Sequence, residues 1–102
     1  MSQRFNTDVL IIGGGAAGLS AALMLSQHVR VTVLCKGGIT TGSSHWAQGG
    51  VAAVTDPEDS FEAHIKDTLD AGGGLCDPDV VRATVNAGPE AIAQLNEWGV
   101  NF

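Results

Sequence analysis

Residues Gly13-Gly14-Gly15-Ala16-Ala17-Gly18 place glycines at the first, third and sixth positions of a G-x-G-x-x-G pattern. The chemistry served by this spacing is the binding of a diphosphate by main chain. A glycine at the first position permits a tight turn, and one at the third leaves no Cβ between backbone and phosphate. One at the sixth lets the following helix pack closely on the preceding strand. The free N–H groups and positive dipole end of that helix then face the anion.

A dinucleotide site of this kind usually has Asp or Glu about 20 residues further on, at the end of the second strand, accepting from ribose hydroxyls. Here Cys35 stands at that distance and Lys36 follows it. A thiol is a weak hydrogen-bond partner, so ribose recognition falls to backbone groups or other side chains. Lys36 reads either as a charge offered to the ligand or as a strand-end surface charge. The missing acid counts against an ordinary NAD site.

A second candidate region is Thr41-Gly-Ser-Ser-His-Trp-Ala-Gln-Gly-Gly50. Ser43, Ser44 and Gln48 can hydrogen-bond a diphosphate or the polar edge of a flat ring, and Gly49 and Gly50 let main chain approach the ring face. Trp46 reads as a packing aromatic or as a ring flanking the ligand. His45 reads as a loop residue beside the site, and His28 and His64 as helix-end and helix-surface residues. The carboxylates from Asp56 onward fall in helical or capping patterns, which leaves no acid–base pair of catalytic type.

These residues need elements to hold them. Asp8-Val-Leu-Ile-Ile12 is a continuous apolar run, the pattern of a short strand buried on both faces of a parallel sheet. Good helix formers run from Ala16 to about His28, with Leu19, Ala22 and Leu23 on one stripe. Arg30-Val-Thr-Val-Leu34 reads as a second strand, parallel to the first because a helix crosses between them. The unit is βαβ, and the G-x-G-x-x-G lies between its first strand and its helix. Residues 37–55 show no sustained period and read as a long functional loop, with a short strand at Val51 to Val54. The D-x-x-E of Asp59 to Glu62 predicts a capping box, opening a helix from about Ser60 to Ala71 with Phe61, Ile65 and Leu69 on one face. Gly72 to Gly74 ends it. Asp77-Pro78 predicts the N-cap and first position of another helix carrying Val81 and Val85. Gly88-Pro89 predicts a restart, after which Ile92, Leu95 and Trp98 recur until Gly99 terminates the segment.

Charge divides the chain. Residues 1–50 carry a balance of +2 and residues 51–102 a balance of −8, giving the net −6 of all 102 residues. A near-neutral, glycine-rich first half accepts an anionic ligand; the acidic second half excludes nucleic acid as a partner, which needs clustered Lys and Arg. The two cysteines, 41 residues apart, have neither disulfide-framework nor zinc-site spacing. The uncharged run Val9 to Val29 holds three adjacent glycines and follows Asp8, which argues against a signal peptide or membrane span and for a cytoplasmic protein. The length suits one small domain and falls short of a whole enzyme with a separate substrate domain.

Three segments carry a resemblance along essentially the whole chain: Asp8-Val-Leu-Ile-Ile-Gly-Gly-Gly-Ala-Ala-Gly-Leu-Ser20, Ala47-Gln-Gly-Gly-Val-Ala-Ala-Val54, and His64-Ile-Lys-Asp-Thr-Leu-Asp-Ala-Gly-Gly-Gly-Leu-Cys-Asp77. The first is generic to FAD proteins. With the second and third, the chain resembles the succinate dehydrogenase and fumarate reductase flavoprotein family, and within it the branch that oxidises L-aspartate to iminoaspartate.

The resemblance implies an α/β fold: residues 1–102 as the N-terminal βαβ part of a Rossmann-like FAD-binding domain, an incomplete parallel sheet followed by helices. On this reading the portion is truncated, poorly stable and inactive alone. The remainder of the FAD domain and a capping domain with the substrate-handling Arg and His groups lie outside it. The resemblance further implies cofactor contacts from Gly13, Gly14, Gly15, Ala16, Ala17, Lys36, Ser43, Ser44, His45, Trp46, Ala47, Gln48, Gly49 and Gly50. Dehydrogenase and reductase members attach FAD covalently through a His four residues before the Ala-Gln-Gly-Gly block. That position is Ser43 here, so the expectation is noncovalent FAD. Expected small-molecule partners are L-aspartate with oxygen or fumarate, in the first step of NAD biosynthesis through quinolinate, with a functional link to quinolinate synthase. The alternatives are a dicarboxylate dehydrogenase or reductase and a nucleotide-binding module without redox chemistry.

Overall fold

The computed structural model describes residues 2–102. The elements run β1 (Val9–Ile12), α1 (Ala16–Leu25), β2 (Val31–Leu34), α2 (Ser43–Trp46), α3 (Phe61–Ala71) and α4 (Pro78–Glu97). They fall into two compact units, one ending at Gly49 and the other spanning Gly50–Phe102.

In the first unit β1 and β2 form a parallel pair, Val9 opposite Val31 through Ile12 opposite Leu34. A helix crosses between them, as the βαβ pattern predicts. Val9, Ile11, Val31 and Val33 are half-buried on the face that meets α1, where Leu19 and Ala22 are half-buried in turn. The expectation of a sheet buried on both faces is not met among the described residues. Leu10, Ile12 and Leu34 are 53%, 80% and 53% exposed, because no described element packs on their side. α1 stops at Leu25, short of the expected His28; the N–H groups of His28 and Val29 both turn back to the Leu25 carbonyl and close the helix. At the amino ends of the strands, Asp8 accepts from the Arg30 backbone N–H at 2.9 Å and pairs with its guanidinium at 3.3 Å.

In the second unit α3 and α4 pack on each other. The buried apolar residues of the described chain are Val54, Ile65 and Val85, all in this unit. The helical periods read from the sequence place Ile65 and Val85 correctly. The cap of α3 differs from expectation. Ser60, with extended backbone, accepts from the Ala63 N–H at 3.0 Å, so the helix starts one residue later than a box at Asp59 requires. Glu62 does not reach back to the cap, because it pairs with Arg82 of α4 at 2.6 Å.

Asp77 caps α4, accepting from Asp79 and Val80 N–H at 3.0 and 3.3 Å, with Pro78 at the first position. The predicted restart at Gly88-Pro89 does not occur: α4 is continuous from Pro78 to Glu97. Pro89 removes one helical N–H, and Gly88 tolerates the preceding-proline restriction while lying close to Ala53, which a Cβ would meet at 3.4 Å. Gly99, at φ +99°, ends the helix in a Schellman motif, its N–H bonding Asn96 C=O and that of Val100 bonding Leu95 C=O. The short strand expected at Val51 to Val54 does not form: these residues have no regular secondary structure, and the described sheet consists of β1 and β2. No described helix is long and apolar enough to cross a membrane.

Candidate functional site

The glycine segment lies at the carboxyl ends of the two parallel strands, where open α/β sheets bind ligands. β1 runs straight into it: the Gly13 N–H bonds Leu34 C=O at 2.9 Å, extending the ladder one residue past Ile12. The chain then turns at Gly13, whose φ of +116° disfavours any residue with a Cβ. Gly15 is the N-cap of α1 and offers no side chain to the helix terminus. One turn into α1, a Cβ on Gly18 would run into the Gly13 carbonyl oxygen and come within 3.3 Å of Ile11 Cγ2. Gly18 is therefore what allows α1 to sit against β1 and aim its N-terminus at the strand ends.

The N-terminus of α1 is tied to the next element. Ser44 Oγ accepts from the Ala16 N–H at 3.1 Å and would lie 3.4 Å from a Cβ on Gly15. A hydroxyl that accepts in this way keeps its own O–H free to donate to an anion. Ser44 comes from α2, a single turn over Ser43–Trp46 inside the segment expected to be irregular. The turn forms because Gly42 leaves the backbone extended before it and the Ala47 N–H closes it on Ser44 C=O. His45 and Trp46 stand edge to face, ring centroids 5.5 Å apart, with Trp46 73% exposed.

A cavity of about 190 Å³ opens between these parts, lined by Gly13, Gly14, Gly15, Cys35, Lys36, Gly37, Gly38, Ile39, Thr41 and Gly42. Six of the ten lining residues are glycines, so main chain forms most of the wall. The lining includes one cation, Lys36, and no carboxylate. That donor set and charge suit a phosphate-bearing ligand. The volume lies below the roughly 300 Å³ at which pockets for drug-sized ligands begin, so it accommodates part of a dinucleotide. The loop from Gly37 to Gly42 is fixed by Thr41, whose hydroxyl and backbone N–H both donate to Gly38 C=O, at 2.6 and 3.1 Å. A larger cavity of about 550 Å³ in the second unit is walled by Val51 to Ala53 and by one face of α4, Ala83, Thr84, Ala87, Gly88, Ala91, Ile92 and Leu95, with no titratable side chain in its lining.

Of the residues singled out from the sequence, Gly13, Gly14, Gly15 and Lys36 line the smaller cavity, and Ala16 and Ala17 form the first positions of α1 beside it. Ser44 reaches α1, while Ser43, His45 and Trp46 complete α2 around it. Ala47, Gln48 and Gly49 end the first unit, and Gly50 begins the second. The sequence reading missed Gly37, Gly38, Ile39, Thr41 and Gly42 as lining residues. The available signal was three glycines within eight residues of the end of β2.

Residues 8–102 match the family described as FAD binding domain. The chain belongs to this family. As a member, it is similar to L-aspartate oxidases: that of Pseudomonas aeruginosa is 59% identical over 102 residues, covering all of this chain and 19% of its relative. The Synechocystis enzyme is 52% identical over 95 residues, covering 93% and 17%, and that of Yersinia pestis 50% over 101 residues, covering 99% and 19%. The chain thus spans about a fifth of the length of these curated relatives. Among solved structures it resembles a mutant of the FrdA subunit of Escherichia coli quinol fumarate reductase, with a TM-score of 0.86 and 38% identity over 96% of this chain and 17% of that one. The flavoprotein family that the motifs pointed to is the one these relatives occupy.

Proposed function

We propose that this chain supplies the diphosphate-holding part of the FAD site of an L-aspartate oxidase, which oxidises L-aspartate to iminoaspartate and passes the electrons to oxygen or fumarate. The observation that carries this reading is 59% identity, over all 102 residues, with an enzyme of that name. The cavity supports it, since a glycine-lined wall with one cation and no carboxylate fits the phosphate and ribose portion of FAD.

Bound FAD supplies the hydride acceptor. This chain's residues bind and orient it. Gly13, Gly14 and Gly15 bring main chain to the diphosphate, Ala16 opens α1 with its N–H held by Ser44, and Ala17 presents the next N-terminal N–H of the helix. Ser44 fixes the Ala16 N–H and offers its hydroxyl proton to the same anion. Lys36 adds positive charge at the end of β2. Ser43, His45, Trp46, Ala47, Gln48, Gly49 and Gly50 wrap the ligand further along. The attachment is noncovalent, because Ser43 offers no imidazole where covalently flavinylated relatives have one. On this reading the protein is cytoplasmic and stands in the first step of NAD biosynthesis through quinolinate, with quinolinate synthase as the functional neighbour.

The structural likeness to FrdA keeps a dicarboxylate reductase as the second reading. Anaerobic addition of substrate to the flavin-loaded full-length protein separates the two. Bleaching of the flavin band by L-aspartate and not by succinate supports the oxidase, and the reverse overturns it. Flavin remaining on the polypeptide after acid precipitation would overturn the noncovalent reading.

A further inference from the structure

Cys35 occupies the position where a ribose-binding acid is expected, and the structure gives the side chain there a steric partner. A Cβ placed on Gly14 would lie 2.5 Å from Cys35 Sγ and 3.6 Å from Ile39 Cγ1. The space beside Gly14 is therefore closed by Cys35 from β2 and by Ile39 from the loop that follows. All three residues line the cavity. The thiol acts here through its volume, filling the slot that the missing Cβ leaves.

We propose that residues 14 and 35 form one steric unit in which the side chain at position 35 sets the placement of the phosphate-holding loop, so that Cys35 is a positioning residue for the nucleotide. A side chain added at position 14 has two outlets. It pushes the loop away from β2, or it turns the Sγ of Cys35 into the cavity. Either outcome takes room or N–H geometry from the ligand. Shortening residue 35 reopens the slot, so the cost of a Cβ at position 14 depends on what stands at position 35. The same contact occurs in the second unit, where a Cβ on Gly72 would run into Cys76 Sγ, but there it lies at the end of α3, and neither residue lines the glycine cavity.

This inference rests on the FAD reading, and the test separates the two. Gly14→Ala, Cys35→Ala and the double variant are made in the full-length protein, with Gly72→Ala, Cys76→Ala and their double variant as the matched set. FAD affinity is read by flavin fluorescence, and thermal midpoints are read with and without FAD. Gly14→Ala is expected to weaken FAD about tenfold, Cys35→Ala to weaken it about threefold as the loop loses its stop, and the double variant to bind more tightly than Gly14→Ala alone, in line with the coupling expected of residues in contact. The Gly72 set is expected to shift the thermal midpoint and leave FAD affinity unchanged. Cys35→Val, which overfills the slot from the other side, is expected to weaken FAD by itself. Losses that simply multiply in the double variant overturn the proposal, as does a Gly14→Ala protein that binds like the parent. A parent protein that binds no FAD overturns the FAD reading instead. The steric unit is then judged by whether the thermal midpoints of the four ligand-free proteins are coupled or additive, additivity overturning it.

Discussion

The two units divide the work between packing and chemistry. The second unit holds the buried side chains Val54, Ile65 and Val85, and its two helices are started by side-chain caps at Ser60 and Asp77, the second of them ending in a Schellman motif at Gly99. The first unit has no side chain so deeply buried among the described residues, yet it carries the glycine-lined cavity. Its shape is held by main chain: four paired residues in each strand, the turn at Gly13 with its positive φ, and one helix seated by a missing Cβ. Side-chain volume therefore shapes the second unit and backbone clearance the first, and on the proposed function it is that clearance which governs binding.

The largest expected effect tests the packed half. Ile65 is 3% exposed, and Ile65→Ala deletes its buried carbons with little scope for collapse. The expected loss is about 2–5 kcal/mol of stability by chemical denaturation. FAD affinity measured well below the unfolding midpoint should stay within about twofold of the parent, since the glycine cavity takes no residue from this unit. A large affinity loss would break the division.

Next comes the clearance that seats α1. Gly18→Val puts branched carbons against the Gly13 carbonyl and Ile11, forcing the helix off the strand. Overpacking costs of about 1–3 kcal/mol, carried into the site, correspond to FAD binding weakened about fivefold to 150-fold, read by isothermal titration calorimetry. Unchanged affinity would show that the position of α1 does not govern the site.

The same contrast explains what could be read from the chain alone. Glycines constrain backbone locally, so G-x-G-x-x-G between two apolar runs announces strand, turn and helix without further context, and Gly13 and Gly18 behave as the pattern requires. Helical periods likewise located Ile65 and Val85, because burial of one face repeats every three to four residues. What failed depended on partners distant in sequence. Asp59 and Glu62 have capping-box spacing, but Glu62 is taken by Arg82 twenty residues away. Gly88-Pro89 looks like a break, yet α4 runs through it while lying close to Ala53. The single turn of α2 and its Ser44 bond to α1 span 28 residues, a separation at which residue types carry no periodic signal.

That Ser44 bond gives a smaller effect than either substitution above. Ser44→Ala removes the acceptor for the Ala16 N–H and the hydroxyl offered to the anion, while α1 keeps its backbone path. Loss of an N-terminal cap costs about 1 kcal/mol, so FAD should bind roughly fivefold more weakly. Ser44→Thr retains the hydroxyl and should restore most of the affinity. Failure of Thr to restore it would show that the size of residue 44, not its hydroxyl, is what the site uses.

The smallest effect concerns charge, and here the units are alike. Each has one exposed carboxylate held below its ordinary pKa by an arginine: Asp8 by hydrogen bonds from Arg30, and Glu62 by hydrogen bonds from Arg82 and by its charge. A carboxyl whose pKa falls on folding binds fewer protons in the native than in the unfolded state as pH drops past its ordinary value. Each pair therefore adds stability above that value, and the addition is lost as pH falls through the lowered one. The ordinary values are 3.8 for Asp8 and 4.5 for Glu62, so neither pair makes stability vary with pH near neutrality, and both weaken only in acid. Because all four side chains are exposed, salt screens the effect. Arg82→Gln should return the Glu62 carboxyl toward 4.5 in an NMR titration and leave Asp8 depressed. Arg30→Gln should do the opposite. A shift of both carboxyls by either substitution would show that the units share one electrostatic field, where the local geometry of each pair predicts two.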